Sequence, residues 1–367
     1  MKKKILCLIN NLGAGGAQRQ LVGLATFLKG MDYDVSVAFY DKVLFYAEIL
    51  SKAGVPYHYL DKAHNTKTRL YFISTFVRQV KPDVVISYLD TPNICGCISK
   101  LFTKKFRLIV SERNTTQHTG WNERIRFNLY RLADCIVPNS FSQETYIRNF
   151  FPFLSSKVKT IPNFVDIKHF TPIERKKRNA IPEIMIAATI WPSKNTIGFI
   201  DAVVQLKNKG YSFHVSWYGK NEAYIDYFNS SERKILEMGV SEYIQLKEKT
   251  TEIKECYQNA DYFCLPSFYE GTPNVIGEAM ACGLPVACSD VCDNSRYVTD
   301  GVNGFLFNPN DTFSIVNALE MLLSMSEDDY MKFSNKSRED AVLKLSKKRF
   351  LDSYLKIIEG NIYQNEP

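Results

Sequence analysis

The 367-residue chain contains no apolar run approaching the roughly 18 residues of a membrane-crossing helix. Its five histidines are scattered, and none lies beside Cys95 and Cys97, the closest pair of cysteines, so the spacing of a zinc site is missing. There is no short-period repeat and no low-complexity segment. The start, MKKKILCLIN, is basic and then apolar, but the apolar run Ile5–Ile9 meets Asn10 and Asn11 without a cleavage site. It reads as a first buried strand rather than a secretory leader. The nine cysteines are odd in number, and Cys7, Cys135, Cys264 and Cys288 sit within apolar stretches, as expected of reduced thiols in a cytoplasmic protein.

What is present is a globular composition, 45% hydrophobic and 23% charged, in a chain long enough for two domains. The net charge of +7 is unevenly spread. Residues 1–170 hold 24 Lys/Arg against 12 Asp/Glu, whereas residues 171–367 hold 22 against 27. A basic first half is expected to meet an anionic surface or group.

Short apolar runs alternate with helical stretches, the pattern of parallel strands wrapped by helices. KKILCLIN, YDVSVAFY, PDVVISYL, FRLIVS and the run around Cys135–Pro138 read as strands of a first domain. VKTIPNFVDIKHFTP (Val158–Pro172) is expected to add a last strand, followed by the charged linker IERKKRN. The pattern restarts with PEIMIAATI, FHVSWYGK, YIQLKEK, DYFCLPS, PVACSD and GFLFNP. The predicted organisation is an N-terminal Rossmann-like domain over 1–170, a C-terminal one over 171–345, and a final segment 346–367. Its helix, about Lys347–Glu359, carries Phe350, Tyr354 and Ile358 on one face and is expected to pack back onto a domain.

The most informative stretch is EGTPNVIGEAMACGLPV (Glu270–Val286). Thr272 is expected to cap a helix with Pro273 at its first position, and Gly283 to end it. The amides of Asn274, Val275 and Ile276 would then form an anion site beyond the strand DYFCLPS. Glu278 would lie one turn deeper, placed for ribose hydroxyls, and Glu270 on the preceding loop, placed for the group beyond the phosphates. In TIWPSKN, Lys194 stands at a strand-to-helix loop where it can pair with a phosphate. In NLGAGGAQRQ, Gly13, Gly15 and Gly16 join a strand to a helix and allow close approach of backbone to a phosphate. A nicotinamide cofactor is not expected there, because Gln18 replaces the third glycine and Asp41 comes too late. SERNTTQH (Ser111–His118) offers polar side chains past a strand end. KLFTKKFR (Lys100–Arg107) interleaves bases and phenylalanines as at an anionic lipid surface. No helix-turn-helix or stacking motif accompanies it, so nucleic acid is not the expected partner.

Taken in order, GAGGAQR, IPNFVD, SKN, YQNADYFCLPSFYEGTPNVIGEAMACGLPVACSD and DGVNGFLF resemble the retaining glycosyltransferases of family 4, of the bacterial surface-polysaccharide type. The resemblance implies the GT-B fold, two Rossmann-like domains facing across a cleft. It implies transfer of a hexose or N-acetylhexosamine from a nucleotide sugar, read as UDP-linked, to a glycan acceptor carried on a lipid, without metal or cofactor. By analogy Glu278 holds the ribose. The amides of Asn274, Val275 and Ile276, with Lys194, hold the diphosphate, and Gly15 and Gly16 approach it. Gly219, Leu246 and Lys247 line the nucleoside side, and Glu270 contacts the donor sugar. Two departures stand out. Thr189 occupies the position where an Arg usually completes the phosphate clamp, so Arg19 or Arg113 would substitute. Where many members carry a His, this chain has Glu112 and Arg113, which take the first domain's catalytic place. The expected location is cytoplasmic, at the inner face of the cell membrane. A nucleotide-sugar-binding protein without transfer activity, and a sugar-nucleotide epimerase on the same fold, are the alternative readings.

Overall fold

The computed structural model describes residues 2–103, 105–116, 118–173 and 178–360. The chain divides into two compact units, one comprising the residues up to Asn163 with the described residues from Lys348 onward, the other Phe164–Lys347.

The first unit is a six-stranded parallel sheet of β1 (Lys4–Leu8), β2 (Asp34–Phe39), β3 (Tyr57–Tyr59), β4 (Val84–Tyr88), β5 (Arg107–Glu112) and β6 (Cys135–Pro138). The spatial order is β3-β2-β1-β4-β5-β6, so successive connections diverge between β1 and β4. All five residues of β4 are buried, which is why it reads as an unbroken apolar run rather than an alternating one. The second unit repeats the plan with β7 (Glu183–Ala187), β8 (His214–Tyr218), β9 (Ile244–Lys247), β10 (Tyr262–Leu265), β11 (Val286–Ser289) and β12 (Gly304–Phe307). Its order, β12-β11-β10-β7-β8-β9, places the divergence between β7 and β10. Open α/β sheets bind ligands at the carboxyl ends of the strands flanking such a point.

The expected strand in Val158–Pro172 does not form. Val158 makes a single bridge to Ile136, the Lys159 and Ile161 N–H groups bond the Ile136 and Pro138 carbonyls at 2.9 and 3.0 Å, and the segment then leaves the sheet without forming a strand. Pro162 has no N–H for a ladder, and the Val165 N–H bonds instead to the Leu345 carbonyl. Glu174–Lys177 of the expected linker lie outside the described residues. The three-residue edge strand β3 is exposed and carries no apolar alternation, so sequence pattern does not announce it.

The final helix, Lys347–Glu359, packs on the first unit's sheet with Phe350, Tyr354, Ile357 and Ile358 buried. The Tyr354 and Tyr88 hydroxyls share a hydrogen bond of 2.8 Å. At its far end Lys3 Nζ donates to Glu359 Oε2 at 2.8 Å, and the Tyr33 hydroxyl donates to Glu359 Oε1 at 3.0 Å.

Candidate active site

The loops after β7 and β10 hold the densest set of candidate residues. After β7 the chain runs extended through Trp191, the conformation favoured for a residue before proline. It makes a short turn over Pro192–Lys194, and Asn195 takes a left-handed conformation (φ 58°). The Asn195 amide donates to the Pro309 carbonyl at 2.8 Å, fixing that turn. Lys194 is thereby aimed at the β10 loop, where its Nζ meets Glu270 Oε1 at 2.5 Å. The Ser267 hydroxyl donates to the same carboxylate oxygen at 2.6 Å, and the Phe268 N–H bonds the Ser193 carbonyl at 2.9 Å. The two loops are therefore one structure. Lys194 and Glu270, expected at separate subsites, form a partly buried ion pair. Ser267 was not singled out from the sequence. Its place three residues before Glu270 on the same loop was the available signal.

The helix beyond this loop is Asn274–Ala281. Thr272 does not cap it. Pro273 occupies the capping position with extended backbone (φ −75°, ψ 99°) and no side-chain cap. The Ile276 N–H bonds the Pro273 carbonyl at 3.2 Å and its side chain is buried in the core, so Ile276 is not available to an anion. Asn274 and Val275 remain at the head of the helix, both half-buried. Gly277 lets the helix lie close to its neighbours, since a Cβ there would come within 2.7 Å of Leu345 and 2.8 Å of Val165. The helix ends as expected, with Gly283 left-handed at φ 80°. Arg338 closes it by donating to the Ala281 carbonyl at 2.6 Å and to the Phe170 carbonyl at 2.8 Å. Glu278 is buried one turn in, where the Tyr257 hydroxyl donates to its Oε2 at 3.1 Å. The two glutamates thus have different settings, Glu270 with a cation and a hydroxyl, Glu278 with a phenol.

At the carboxyl ends of β8 and β9 the expected contacts are taken up by the backbone itself. Gly219 is buried, its N–H bonds the Lys247 carbonyl at 3.0 Å, and its carbonyl accepts from the Ile190 N–H at 3.0 Å. A Cβ on Gly219 would fall 1.8 Å from the Ala188 carbonyl oxygen and 3.1 Å from Thr189 Cα. This glycine is needed for close passage of two strand ends rather than for a free amide. Thr189 is half-buried against it. Lys247 directs its ammonium at the Ser216 hydroxyl, 2.8 Å away, and Leu246 is half-buried on the same strand end.

In the first unit the glycine turn leads into the helix Gly16–Lys29. Gln18 folds back over it, donating to Asn10 Oδ1 and Asn11 Oδ1 at 3.1 Å each. A Cβ on Gly15 would lie 2.1 Å from the Gln18 side-chain oxygen, so Gln18 fills the space left by Gly15. Gly16 is exposed, and Arg19 is half-buried on the first helical turn.

Glu112 and Arg113 do not present themselves at the surface as expected. Glu112 is 0% exposed. It accepts hydrogen bonds from Tyr130 and, at 3.4 Å, from Asn93, and faces Arg126 at 3.6 Å. Burial raises its carboxyl above the ordinary range, with Arg126 opposing. Arg113 donates to Asn163 Oδ1 and to the Tyr354 hydroxyl, each at 2.7 Å, and its guanidinium lies 3.9 Å from the centre of the Tyr88 ring. It fastens the final helix to β4 and β5. The physical reason is common to both: residues at the end of β5 turn into the unit, where a carboxylate and a guanidinium must find partners. Those partners, Asn93, Tyr130, Arg126 and Tyr354, are far apart in sequence and carried no local signal.

Among the described residues no three His, Cys, Asp or Glu side chains converge as a metal site, and no helix is long and apolar enough to cross a membrane.

Comparison with known proteins matches residues 14–169 to Glycosyltransferase Family 4 and residues 181–325 to Glycosyl transferases group 1. One relative, an α-1,4-N-acetyl-D-galactosaminyltransferase of Campylobacter jejuni acting on a GalNAc-containing diphospho-undecaprenol glycan, is 25% identical over 340 residues, 88% of this chain and 89% of that protein. Another, an α-1,3-galactosyltransferase of Escherichia coli using UDP-Gal and GlcNAc-diphosphoundecaprenol, is 28% identical over 201 residues, 51% of this chain and 50% of that protein. Among solved structures, a glycosyltransferase from Rickettsia africae superposes with a TM-score of 0.87 at 16% identity, covering 100% of both chains. HepE of Anabaena, solved with UDP and glucose, superposes with a TM-score of 0.84 at 18% identity, covering 97% of this chain and 99% of that one. The fold is of the GT-B type, with two Rossmann-like units.

Proposed function

Because the first unit belongs to Glycosyltransferase Family 4 and the second to the group 1 glycosyl transferases, we propose that this glycosyltransferase of bacterial polysaccharide biosynthesis moves a hexose or N-acetylhexosamine from a UDP-sugar to a lipid-linked glycan with retention of configuration. The observation that carries the reading is the Lys194–Glu270 pair beside the head of the Asn274–Ala281 helix, at the divergence point of the second sheet.

In this reading the diphosphate takes over Lys194 and the amides of Asn274 and Val275. A doubly anionic group competes well for the ammonium because it offers more negative charge than one carboxylate. Glu270, released from Lys194 and steadied by Ser267, accepts hydrogen bonds from the donor sugar's hydroxyls. Glu278 holds the ribose, with Tyr257 fixing the carboxylate. Lys247 and Leu246 flank the nucleoside side, with Gly219 and Thr189 shaping the strand ends beneath them. The bond from the anomeric carbon to the diphosphate breaks, and the acceptor oxygen bonds to the same face of the sugar. The acceptor's proton passes to the departing diphosphate. Lys194 and the helix amides stabilise that developing charge without any ion.

Glu112 and Arg113 act at one remove, as the supports of the first unit's strand ends. The basic first unit adjoins the anionic inner face of the cytoplasmic membrane, where a lipid-linked acceptor resides. Charge excess over residues 1–170 supports this placement. The test is incubation of the purified protein with UDP-sugars and a lipid-diphosphate glycan in the presence of chelator. Formation of an α-linked product supports the reading. UDP binding with no transfer to any such acceptor would leave a nucleotide-sugar-binding protein, and turnover that needs added manganese would remove the metal-free account.

A further inference from the structure

The loop that follows β2 holds three consecutive apolar side chains in water. Val43, Leu44 and Phe45 are 48%, 44% and 63% exposed, and Ile49, on the helix Ala47–Lys52 just beyond, is 49% exposed. A loop free to move would fold such side chains inward. This one is pinned. The Leu12 N–H bonds the Val43 carbonyl at 2.9 Å, the Tyr46 N–H bonds the Leu12 carbonyl at 2.8 Å, and the Val43 N–H bonds the Asp41 carbonyl at 2.8 Å. The backbone is thus laid along the turn after β1, and the side chains are held outward at the carboxyl edge of the first sheet. A fixed apolar cluster on a protein surface marks a place of contact.

Its surroundings are basic. The Arg69 guanidinium pairs with Asp41 at 3.3 Å, and Lys52 with Glu48 at 2.7 Å. Beside the loop this leaves Lys42, Lys62 and Lys67, all exposed, against Asp61. Arg69 also donates to the Ala63 carbonyl at 3.2 Å, which holds the segment carrying Lys62 and Lys67 close to Asp41. The edge strand β3 adds rings: Tyr57 and Tyr59 are exposed, and Lys42 Nζ lies 5.9 Å from the centre of the Tyr59 ring. Apolar tips, phenol rings and ammonium groups side by side suit the boundary of an anionic bilayer. There Leu and Phe enter the acyl region, tyrosines sit at headgroup level, and lysine stems lie on apolar surface with their charges in water. The anionic headgroups supply the counter-charge that the loop's own carboxylates do not.

We propose that the loop Asp41–Tyr46 is the element by which the first unit docks on an anionic lipid bilayer, with Leu44 and Phe45 entering the interface and Lys42, Lys62 and Lys67 meeting the headgroups. The stretch Lys100–Arg107, which the sequence offered for this contact, serves it less well: Phe106 is buried and Lys100 pairs with Asp134. The proposal rests on the lipid-linked acceptor reading above for the presence of a membrane, but it names a contact of the first unit alone and is tested separately from donor binding and transfer.

The experiment is co-sedimentation of the full chain with vesicles of phosphatidylcholine alone or mixed with phosphatidylglycerol, comparing wild type, Leu44→Ser, Phe45→Ser and Lys42→Gln. Phe313→Ser, at a 59% exposed phenylalanine of the second unit, is the control for general stickiness. The expected result is binding of wild type to the anionic vesicles and far less to the neutral ones. Leu44→Ser and Phe45→Ser each weaken it about 10-fold, Lys42→Gln about fivefold, and Phe313→Ser less than about twofold. No binding by wild type, equal binding to neutral vesicles, or equal loss in Phe45→Ser and Phe313→Ser overturns the proposal. So does binding that appears only when a polyprenyl diphosphate is added, which would give the cluster to the acceptor's own lipid. A wild-type dimer lost in Phe45→Ser would give it to a second copy of the chain, and loss of the folded melt in both serine variants would make the side chains structural. Either overturns docking. Failure of the donor reading shows independently, as lack of UDP binding by wild type in calorimetry.

Discussion

Lys194 and Glu270 stand 76 residues apart in the chain and meet at 2.5 Å. In the proposed function this contact is the resting form of the donor site, which a diphosphate and a sugar ring exchange for contacts of their own. Lys194→Ala should weaken UDP binding by about 10- to 100-fold, the worth of a hydrogen bond to a charged group. Glu270→Ala should instead lower turnover while UDP affinity holds. Calorimetry with UDP and turnover of a UDP-sugar separate the two, and the reverse pattern would overturn the division of labour.

Glu278 is buried with Tyr257 as a donor to it. Glu278→Ala is expected to weaken UDP binding more than it lowers the turnover of saturated enzyme. Tyr257→Phe removes one hydrogen bond and is expected to cost about 1 kcal/mol of folding stability, read by urea unfolding, with a smaller loss of UDP affinity.

Much of this was legible in the sequence. The strands of both sheets announce themselves because buried parallel strands are continuous apolar runs, and Gly283 and Pro285 mark the end of the helix that follows Glu270. Lys194, Glu270, Asn274 and Glu278 stood out because local pattern put each near a strand end. Their pairing did not, since it depends on strand order, which places β7 beside β10. Glu112 and Arg113 misled for the same reason: a polar pair past a strand end looks exposed until Arg126 and Tyr354 arrive from elsewhere in the chain.

Glu112 supplies a pH test. Its carboxyl titrates above the ordinary value of 4.5 because burial disfavours the charged form. The folded state therefore holds this proton more tightly than the unfolded chain, and the associated stability is present below pH 4.5 and lost as pH rises through the folded value. Glu112→Gln keeps a side-chain acceptor and removes the titration. Thermal melts across that range should fall less steeply with pH in Glu112→Gln than in wild type. Parallel curves would show that Glu112 carries no such linkage.

Arg113 ties the final helix to the first unit through Asn163, Tyr354 and the Tyr88 ring. Arg113→Ala leaves buried acceptors unpaired and is expected to cost about 2–4 kcal/mol. Lysine cannot reproduce the fork or the stacked plane, so Arg113→Lys should recover only part of it. Urea unfolding checks both, and a neutral Arg113→Ala would place the helix's attachment elsewhere.

Of the three tryptophans, Trp217 is buried and Trp121 is 82% exposed, while Trp191, three residues before Lys194, packs against Tyr224 with ring centres 3.9 Å apart and planes tilted by 33°. Binding of UDP-sugar at Lys194 should change the emission of Trp191. A fluorescence titration should show a saturable change in wild type that disappears in Trp191→Phe, whereas a change that survives would assign it to another site.

The most direct measurement is product analysis after incubation of the protein with UDP-N-acetylgalactosamine, UDP-N-acetylglucosamine, UDP-galactose or UDP-glucose, a diphospho-undecaprenol glycan and chelator. The account predicts that one of these donors yields UDP and a glycan longer by one α-linked sugar, with the anomer read by NMR. A β-linked product, or conversion of one UDP-sugar into another with the glycan unchanged, would contradict it.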